Sequence, residues 1–214
     1  TLRHPALEAD DLIAGWIQAH PNDKHVVVST DSDLHQLVTT NVSQYNAVEE
    51  YLITTDGYFD DKDRPVKDKK TGEQRKLASS DWLIFEKSMR GDATDNIFSA
   101  YPRVRKTVME DAYADRDRKG FKWNNLMLQK WADHDGKEHQ VKDDYERNRI
   151  MIDLTAQPDD VKVNIFTTIK DAIDNKKDVD QVGTKLLKFC GRWNLQRISD
   201  QVTDYSPFVA AKYE

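Results

Sequence analysis

The stretch His-Val-Val-Val-Ser-Thr-Asp-Ser-Asp constrains the fold of this chain more than any other. Residues 25–30 form a β-branched apolar run that ends in polar residues, and Asp31 and Asp33 follow it directly. Such a run predicts a short buried strand of the parallel kind. In open α/β sheets, ligand sites form beyond the carboxyl ends of the strands. The two acids are therefore candidates for a site at a sheet edge.

Helix and strand patterns surround this stretch. Apolar spacing predicts a helix over 7–20, a short helix over 33–38 and a second strand over 51–55. Residues 58–76 are almost entirely polar and carry turn residues, which predicts a mobile surface hairpin or loop. Further helices are predicted from 79 or 80 to Gly91 and over 103–114, 121–132, 141–152, 158–174, 179–190 and 194–202.

The composition limits the class of protein. The 214 residues are 38% hydrophobic and 33% charged, with a mean hydropathy of −0.81. No run approaches the ~20 apolar residues that cross a bilayer. Cys190 is the single cysteine, which excludes an internal disulfide framework and is typical of a reducing compartment. We therefore expect a cytoplasmic protein with no membrane partner.

Carboxylates are concentrated in three short motifs. The first begins a predicted helix, the second follows the predicted strand and the third follows a helix. They are Glu8-Ala-Asp10-Asp11, Asp31-Ser-Asp33 and Asp92-Ala-Thr-Asp95. Each motif alone has an ordinary structural explanation, as charge at a helix N-terminus, a helix cap or a turn. Together, and without a Cys/His set at zinc spacing, they favour oxygen coordination of Mg²⁺ or Mn²⁺.

The number of acids bears on the chemistry. Several carboxylates gathered in one site repel one another unless a cation compensates them. Two divalent ions roughly 3.5–4 Å apart are the familiar solution, and their usual chemistry is in-line phosphodiester hydrolysis. The net charge of −6 argues against a general nucleic-acid coat, although acids at a metal site would inflate the negative count. The sequence therefore predicts a site for two Mg²⁺ ions, with Mn²⁺ as a substitute.

Four stretches together resemble the 5′-nuclease superfamily, which includes flap endonucleases and the 5′-exonuclease domains of bacterial polymerases. They are EADD, VVVSTDSDLHQL, MRGDATDNI and DDYERNRIMIDLTAQP. Within the superfamily they are most similar to the ribonuclease H, or 5′-exonuclease, of T-even-like bacteriophages. The resemblance implies an α/β fold with a parallel-sheet core of the PIN-like type and a largely helical C-terminal portion. It also implies metal-dependent 5′→3′ exonuclease and flap endonuclease activity, including removal of RNA primers in replication.

The resemblance also implies roles for individual residues. The matched catalytic and metal-binding acids are Glu8, Asp10, Asp31, Asp33 and Asp92, with Asp95 supporting the second ion and Asp11 supporting the site from outside. The implied substrates are branched or nicked duplex DNA and RNA–DNA hybrids. A single-strand-binding protein or a sliding clamp is an expected recruiting partner.

The chain departs from the family pattern at its beginning. Members begin with a strand that carries an aspartate, followed by a further aspartate and a mobile arch. These elements would precede Thr1 and are absent from this sequence. We therefore expect 1–214 to be the C-terminal part of a 5′-nuclease domain, completed by a missing N-terminal segment or by another chain. Within that single domain, 1–57 is the predicted α/β metal-site portion, 58–76 the loop and 77–214 the helical portion.

A second departure follows the third acidic motif. Many relatives carry a glycine-rich helix-hairpin-helix there, whereas this chain reads IFSAYPRVRKT. Arg103, Arg105 and Lys106 are candidates for contacts to duplex phosphates, and an ordinary solvated basic turn is the alternative. The rival to the enzyme as a whole is a non-catalytic nucleic-acid-binding or partner-binding fragment without a complete metal site.

Overall fold

The computed structural model describes residues 1–175 and 180–210. The chain divides into two compact units, Thr1–Lys170 and Asp171–Glu214. The prediction of a single domain over 1–214 stays a prediction. In the described part of the chain, no helix is both long enough and apolar enough to cross a membrane.

The elements follow one another in a mixed order of helices and strands. In chain order they are α1 (Ala9–Ala19), β1 (His25–Val28), a 3₁₀ helix (Asp33–Leu37), β2 (Val42–Asn46), β3 (Tyr51–Thr54), β4 (Gly57–Phe59), α2 (Ser80–Arg90), α3 (Lys106–Ala114), α4 (Phe121–Met127), β5 (Lys130–Ala132), β6 (Glu138–Gln140), α5 (Val141–Ile152), α6 (Asp159–Asp174), α7 (Val182–Arg192), α8 (Gln196–Ser199) and α9 (Val202–Ala210). The last three belong to the second unit, where α7 packs against α8 and α9.

The main sheet is mixed rather than parallel. Its strands lie in the order β1-β2-β3-β4. The pair β1–β2 is parallel, as predicted for the first strand, whereas β2–β3 and β3–β4 are antiparallel. The prediction of a parallel-sheet core is therefore confirmed for one pair and wrong for the other two.

Connection length explains the mixed sheet. Parallel neighbours need a crossover of roughly a dozen residues or more, whereas antiparallel neighbours can be joined by a tight turn. Residues 29–41, which include the 3₁₀ helix, provide a crossover between β1 and β2. Only residues 47–50 separate β2 from β3, and residues 55–56 separate β3 from β4. Strand β2 was not predicted, because its sequence Val-Ser-Gln-Tyr-Asn alternates apolar and polar residues and buries Gln44 as well as Val42.

The first strand is half-exposed, which corrects the prediction of a buried strand. Val26 and Val28 are 61% and 68% exposed, whereas Val27 on the other face packs on a buried cluster formed by Ala14, Leu34 and Leu37. Strand β1 also lies at the edge of the sheet. Its unbroken run of β-branched residues therefore does not report burial on both faces.

The polar region 58–76 is a hairpin extension of the sheet. The backbone of Tyr58 donates to the carbonyl of Arg75 (3.2 Å), and isolated bridges join Phe59 to Pro65 and Lys67 to Gln74. The Arg75 guanidinium lies 4.0 Å from the centre of the buried Tyr58 ring. The hairpin that the turn residues predicted is present, and its predicted mobility stays a prediction.

Two helix predictions need correction. The helix predicted over 121–132 ends at Met127, because residues 130–132 pair with 138–140 as the hairpin β5–β6 around an Asp-Gly turn. The helix predicted over 194–202 is two elements, α8 and α9. The first residue of the helix predicted over 179–190 lies outside the described residues, and the described helix there is α7, which begins at Val182.

A large aromatic core supports the helical part of the first unit. Its buried members come from α2, α3, α4, α5 and the segment between α2 and α3, and partly buried tryptophans and tyrosines pack around them. The members are Phe85, Met89, Ala100, Val104, Met109, Ala112, Leu126, Met127, Val141 and Tyr145. This core fixes α2 against α5, and the C-terminus of α2 leads directly into the third acidic motif.

Packing between α1 and α6 gives a stability prediction. A Cβ added at Gly15 would lie 2.1 Å from Cγ2 of Ile165 and 3.1 Å from Cδ1 of Ile169. Overpacking of this kind costs ~1–3 kcal/mol. We expect Gly15→Ala to lower the free energy of unfolding by about that amount, measured by chemical denaturation.

The matched control is Gly191→Ala in α7, where an added Cβ would meet no atom within 4 Å. This variant should be neutral or stabilising by up to about 1 kcal/mol, because alanine favours a helix over glycine. Equal destabilisation by the two variants would contradict the close packing of α1 on α6.

Candidate metal centre

The second acidic motif is held by the turn that leaves β1. The Asp33 backbone N–H donates to Oδ1 of Asp31 (2.9 Å), an aspartate turn that starts the 3₁₀ helix. Gln44 on β2 donates from Nε2 to the carbonyls of Ser29 (3.0 Å) and Asp31 (2.7 Å). The neighbouring strand thus fixes the backbone that carries both acids.

A second glutamine ties the 3₁₀ helix to two other elements. Nε2 of Gln36 donates to the Ile152 carbonyl at the end of α5, and its Oε1 accepts from the Leu154 backbone, both at 3.0 Å. The Gln36 carbonyl accepts from Oγ of Ser80 at the start of α2 (2.7 Å). Asp33 is therefore placed by contacts that reach more than 100 residues along the chain.

The third motif is a closed turn after α2. Gly91 has a φ of 73°, and a Cβ there would meet the Ile97 carbonyl oxygen at 2.3 Å, so the position requires glycine. Asp92 and Ile97 exchange two backbone hydrogen bonds of 2.8 Å. Oδ1 of Asp92 accepts from the Thr94 backbone (2.8 Å). These contacts fold the loop that carries Asp95.

The second and third acidic motifs lie next to each other. One carboxylate oxygen from each of Asp33, Asp92 and Asp95 lies within 4.8 Å of the other two. Asp33 and Asp92 are partly buried, and Asp95 is exposed. Three converging carboxylates, open to solvent on one side, are a donor set that suits a hard divalent cation.

A lysine lies inside this acidic group. Nζ of Lys87, on α2, hydrogen-bonds Oδ2 of Asp33 and lies 2.8 Å from Oδ2 of Asp92. Burial alone would lower the pKa of Lys87, but the hydrogen bonds to the two aspartates outweigh it and the pKa is raised. The same contact, with hydrogen bonds from Thr94, holds the pKa of Asp92 well below its usual range.

The first motif lies beside the second. Burial raises the pKa of Asp10, and the negative charges of Asp31 and Asp33, followed by Glu8 and Asp11, raise it further. Asp10 is partly buried, whereas Glu8 and Asp31 are exposed. The predicted ligands of the first two motifs are thus close enough to repel one another.

The Asp11 carboxylate makes hydrogen bonds that fix the start of α1. Its Oδ2 accepts from the Glu8 backbone and its Oδ1 accepts from Nε2 of Gln157, both at 3.1 Å. The carboxylate therefore fixes the start of α1 against the segment that precedes α6. Its predicted supporting role near the metals stays a prediction.

The predicted basic contacts lie on the surface. Arg103, Arg105 and Lys106 are all exposed, in the turn that leads into α3. Lys106 lies 3.9 Å from Glu110 one helical turn later. Nothing in the geometry brings these residues into the acidic group.

A cleft of about 260 Å³ opens beside the acidic group. Asp33 and Lys87 line it together with His35, Glu86 and Arg90. Burial, followed by the charge of Arg75, lowers the pKa of His35. The imidazole is therefore neutral at pH 7, and the cationic groups of the cleft are lysine and arginine.

The sequence did not identify Asn148 as part of the site. It is fully buried on α5 and donates from Nδ2 to the carbonyls of Ser88 (2.9 Å) and Phe98 (2.7 Å), which flank the third motif on either side. Its spacing from the buried Tyr145 and Ile152 is the available signal, because a polar residue on the apolar face of a helix needs buried partners.

A second group of possible ligands, Asp133, His134 and Asp135, lies in the turn of the β5–β6 hairpin. Oδ1 of Asp133 accepts from the backbones of Asp135 (3.0 Å) and Lys137 (2.9 Å), which accounts for the turn. His134 and Asp135 are exposed. Turn formation is a sufficient explanation for this group.

Comparison with known proteins gives structural neighbours only. No protein-family model and no curated protein matches the sequence. Three of the solved structures to which the chain is similar are bacteriophage T5 D15 protein co-crystallised with metal ions, a mutant of T5 5′-exonuclease, and T5 D15 flap endonuclease in a pseudo-enzyme–product complex with DNA and metal ions. Each is 17% identical with a TM-score of 0.44 over 77% of this chain.

The chain covers 60%, 66% and 59% of those three T5 chains, which is less than two thirds of their length. The structural neighbours of this mixed α/β chain are thus 5′-nucleases, at a level of similarity that singles out no close relative. Any conclusion about its chemistry depends on its own residues.

Asn148 gives a prediction about the support of the site. Asn148→Ala would remove the side-chain donor from the Ser88 and Phe98 carbonyls, the first of these hydrogen bonds being buried, at a cost of ~1–3 kcal/mol. We expect the free energy of unfolding to fall by about that amount in chemical denaturation. The control is Asn125→Ala on the exposed face of α4, which should change it by less than ~0.5 kcal/mol.

Asp92 gives a prediction about pH. Its lowered folded-state pKa means that its ion pair stabilises the protein above pH ~4, the unfolded value, and that this stabilisation is lost as the pH falls. In EDTA, Asp92→Asn should therefore lower the melting temperature at pH 7, and the difference from wild type should shrink towards pH 2. A difference that is independent of pH would contradict the Lys87–Asp92 pair.

Proposed function

We propose that this chain is a metal-dependent 5′-nuclease that hydrolyses phosphodiester bonds in branched or nicked duplex DNA and in RNA–DNA hybrids. The observation that carries the proposal is the approach of Asp33, Asp92 and Asp95 to within 4.8 Å. These acids come from two motifs almost 60 residues apart, and separate sets of hydrogen bonds position each motif. A bound cation would reduce the repulsion in an acidic group assembled in this way.

The donor set fits Mg²⁺, with Mn²⁺ as a substitute. All three groups are carboxylates, the oxygen ligands that these ions prefer. Lys87 offsets only one of three negative charges, which leaves room for a divalent charge. A bound divalent ion would supply activation of water and stabilisation of the charge that develops on the leaving oxygen.

The chain's own acids divide the remaining tasks. Asp33, Asp92 and Asp95 would hold the ion. Asp10, Asp31 and Glu8 are the remaining acids of the first two motifs, and burial, followed by the negative charges of Asp31 and Asp33, raises the pKa of Asp10, so a second cation bound there would be favoured. We propose the two-ion arrangement on this ground.

Phosphate recognition is assigned to basic residues within the acidic group, beside it and on the surface. Lys87 and Arg90 line the cleft beside Asp33, where they can meet a phosphate that approaches the ion. Arg103, Arg105 and Lys106 are exposed and are proposed to contact the duplex backbone.

The proposal extends to the biological setting. The chain would act in the cytoplasm, on RNA primers and flaps in replication, as the C-terminal part of a 5′-nuclease domain. A further segment or another chain would complete it, and a single-strand-binding protein or sliding clamp would recruit it. The exposed acids Glu8, Asp31 and Asp95 would be accessible to groups that such a segment contributes.

Cleavage of a 5′-labelled flap tests the proposal. The chain together with the segment that completes it should cleave the flap with Mg²⁺ and not with EDTA, and cleavage by the 214 residues alone would contradict the need for that segment. Asp31→Asn keeps the acceptor for the Asp33 backbone but removes the charge, and should slow cleavage by on the order of 100-fold or more, since metal-ion catalysis contributes several kcal/mol.

The matched control is Asp143→Asn, an exposed acid in the first turn of α5, which should cleave at the wild-type rate. Metal-independent cleavage, or equal rates for wild type and Asp31→Asn, would contradict the proposal. Tight binding of the flap without cleavage would favour the rival function of a non-catalytic nucleic-acid-binding chain.

A further inference from the structure

Lys87 occupies an unusual place for a lysine. It projects from the last turn of α2 into the acidic group, and its side chain is only 21% exposed. Its ammonium contacts Oδ2 of Asp33 and Oδ2 of Asp92, one oxygen from each motif. The lysine therefore bridges the two motifs that the proposed metal site brings together.

The two carboxylates cannot easily move apart to leave the lysine. Asp92 is fixed by its backbone pairing with Ile97 and by the Thr94 backbone N–H on Oδ1. Asp33 is fixed by its backbone contact to Asp31 at the start of the 3₁₀ helix. Oδ2 of Asp92 and Oδ2 of Asp33 are thus held facing the same point, and the ammonium sits there.

A divalent ion that bridges these motifs needs the same oxygens. Both the ammonium and the ion are cations, so they repel each other and compete for the two carboxylates. The lysine differs in being tethered by a flexible four-carbon stem, which can move its charge to another partner. Among the ion pairs of the described residues, none involves Asp10 or Asp31, so compensation by a lysine is specific to this half of the acidic group.

We propose that Lys87 is a resident counter-cation that holds Asp33 and Asp92 together in the absence of metal and that an incoming divalent ion displaces. The inference rests on the proposed metal site and goes beyond it. In this proposal, the Lys87 side chain stabilises the site when no metal is bound, and it also lowers the affinity of the site for metal. A displaced ammonium would remain beside the ion, where a phosphate oxygen can replace the lost carboxylates.

Mn²⁺ binding to the full chain tests this role, with free Mn²⁺ followed by its electron paramagnetic resonance signal. Lys87→Met keeps most of the stem and removes the charge. Its dissociation constant for Mn²⁺ should be roughly tenfold lower than that of wild type, the factor that corresponds to one charge-assisted hydrogen bond. Its melting temperature in EDTA should be lower, and saturating Mn²⁺ should stabilise it more than it stabilises wild type.

Two variants make the result specific. Lys130→Met removes another lysine from a close ion pair, with Glu138 at 2.7 Å on the β5–β6 hairpin, and should leave the dissociation constant unchanged. Asp33→Asn should abolish the Mn²⁺ site that Lys87→Met tightens, which identifies the acids involved.

The outcomes separate this inference from the proposed function. Wild-type binding with unchanged or weaker binding by Lys87→Met would overturn the displacement role and leave the metal site standing. Tighter binding that persists in the Asp33→Asn, Lys87→Met double variant would also overturn it, because the ion would then bind elsewhere. Absence of Mn²⁺ binding by every variant would overturn the metal site and the inference together.

Discussion

Repulsion between carboxylates is the constraint on which the rest of the first unit depends. Asp33, Asp92 and Asp95 lie close together, and nothing in their own charges favours that arrangement. It exists because the backbone on each side is fixed by other contacts. Gln44 and Gln36 hold the turn after β1, and Asn148 holds both flanks of the turn after α2. Buried amides, which carry no charge, are suited to this task because they satisfy carbonyls without adding to the repulsion.

The sequence predicted the acidic residues of the site better than it predicted the residues that hold them in place. The acidic motifs can be recognised in the sequence because aspartates cluster after a predicted strand and after a helix that ends in glycine. Lys87 and Asn148 give a much weaker signal, since a lysine or asparagine on a helix is usually solvated. Their roles depend on residues more than 50 positions away, such as Asp33 for Lys87 and Ser88 for Asn148. Local patterns carry no information about such pairs.

The errors in the fold have the same origin. A run of valines indicated a buried strand, yet β1 is covered on one face only. Strand β2 was not predicted, because polar residues alternate with apolar ones along it. Its Gln44 is buried and makes hydrogen bonds there rather than apolar contacts. The helices with strong apolar periodicity, such as α1 and α5, were predicted to within about two residues of their ends. Tertiary context decided the strands, and periodicity decided the helices.

The exposed face of β1 has a consequence for how the protein behaves in solution. An edge strand presents unpaired backbone groups, and Val26 and Val28 add an apolar surface to them. Such strands are templates for pairing with another chain. Within the described sheet, β1 is therefore a place where association with another chain is expected. A charged residue in place of an exposed valine would act as a gatekeeper against strand-to-strand association.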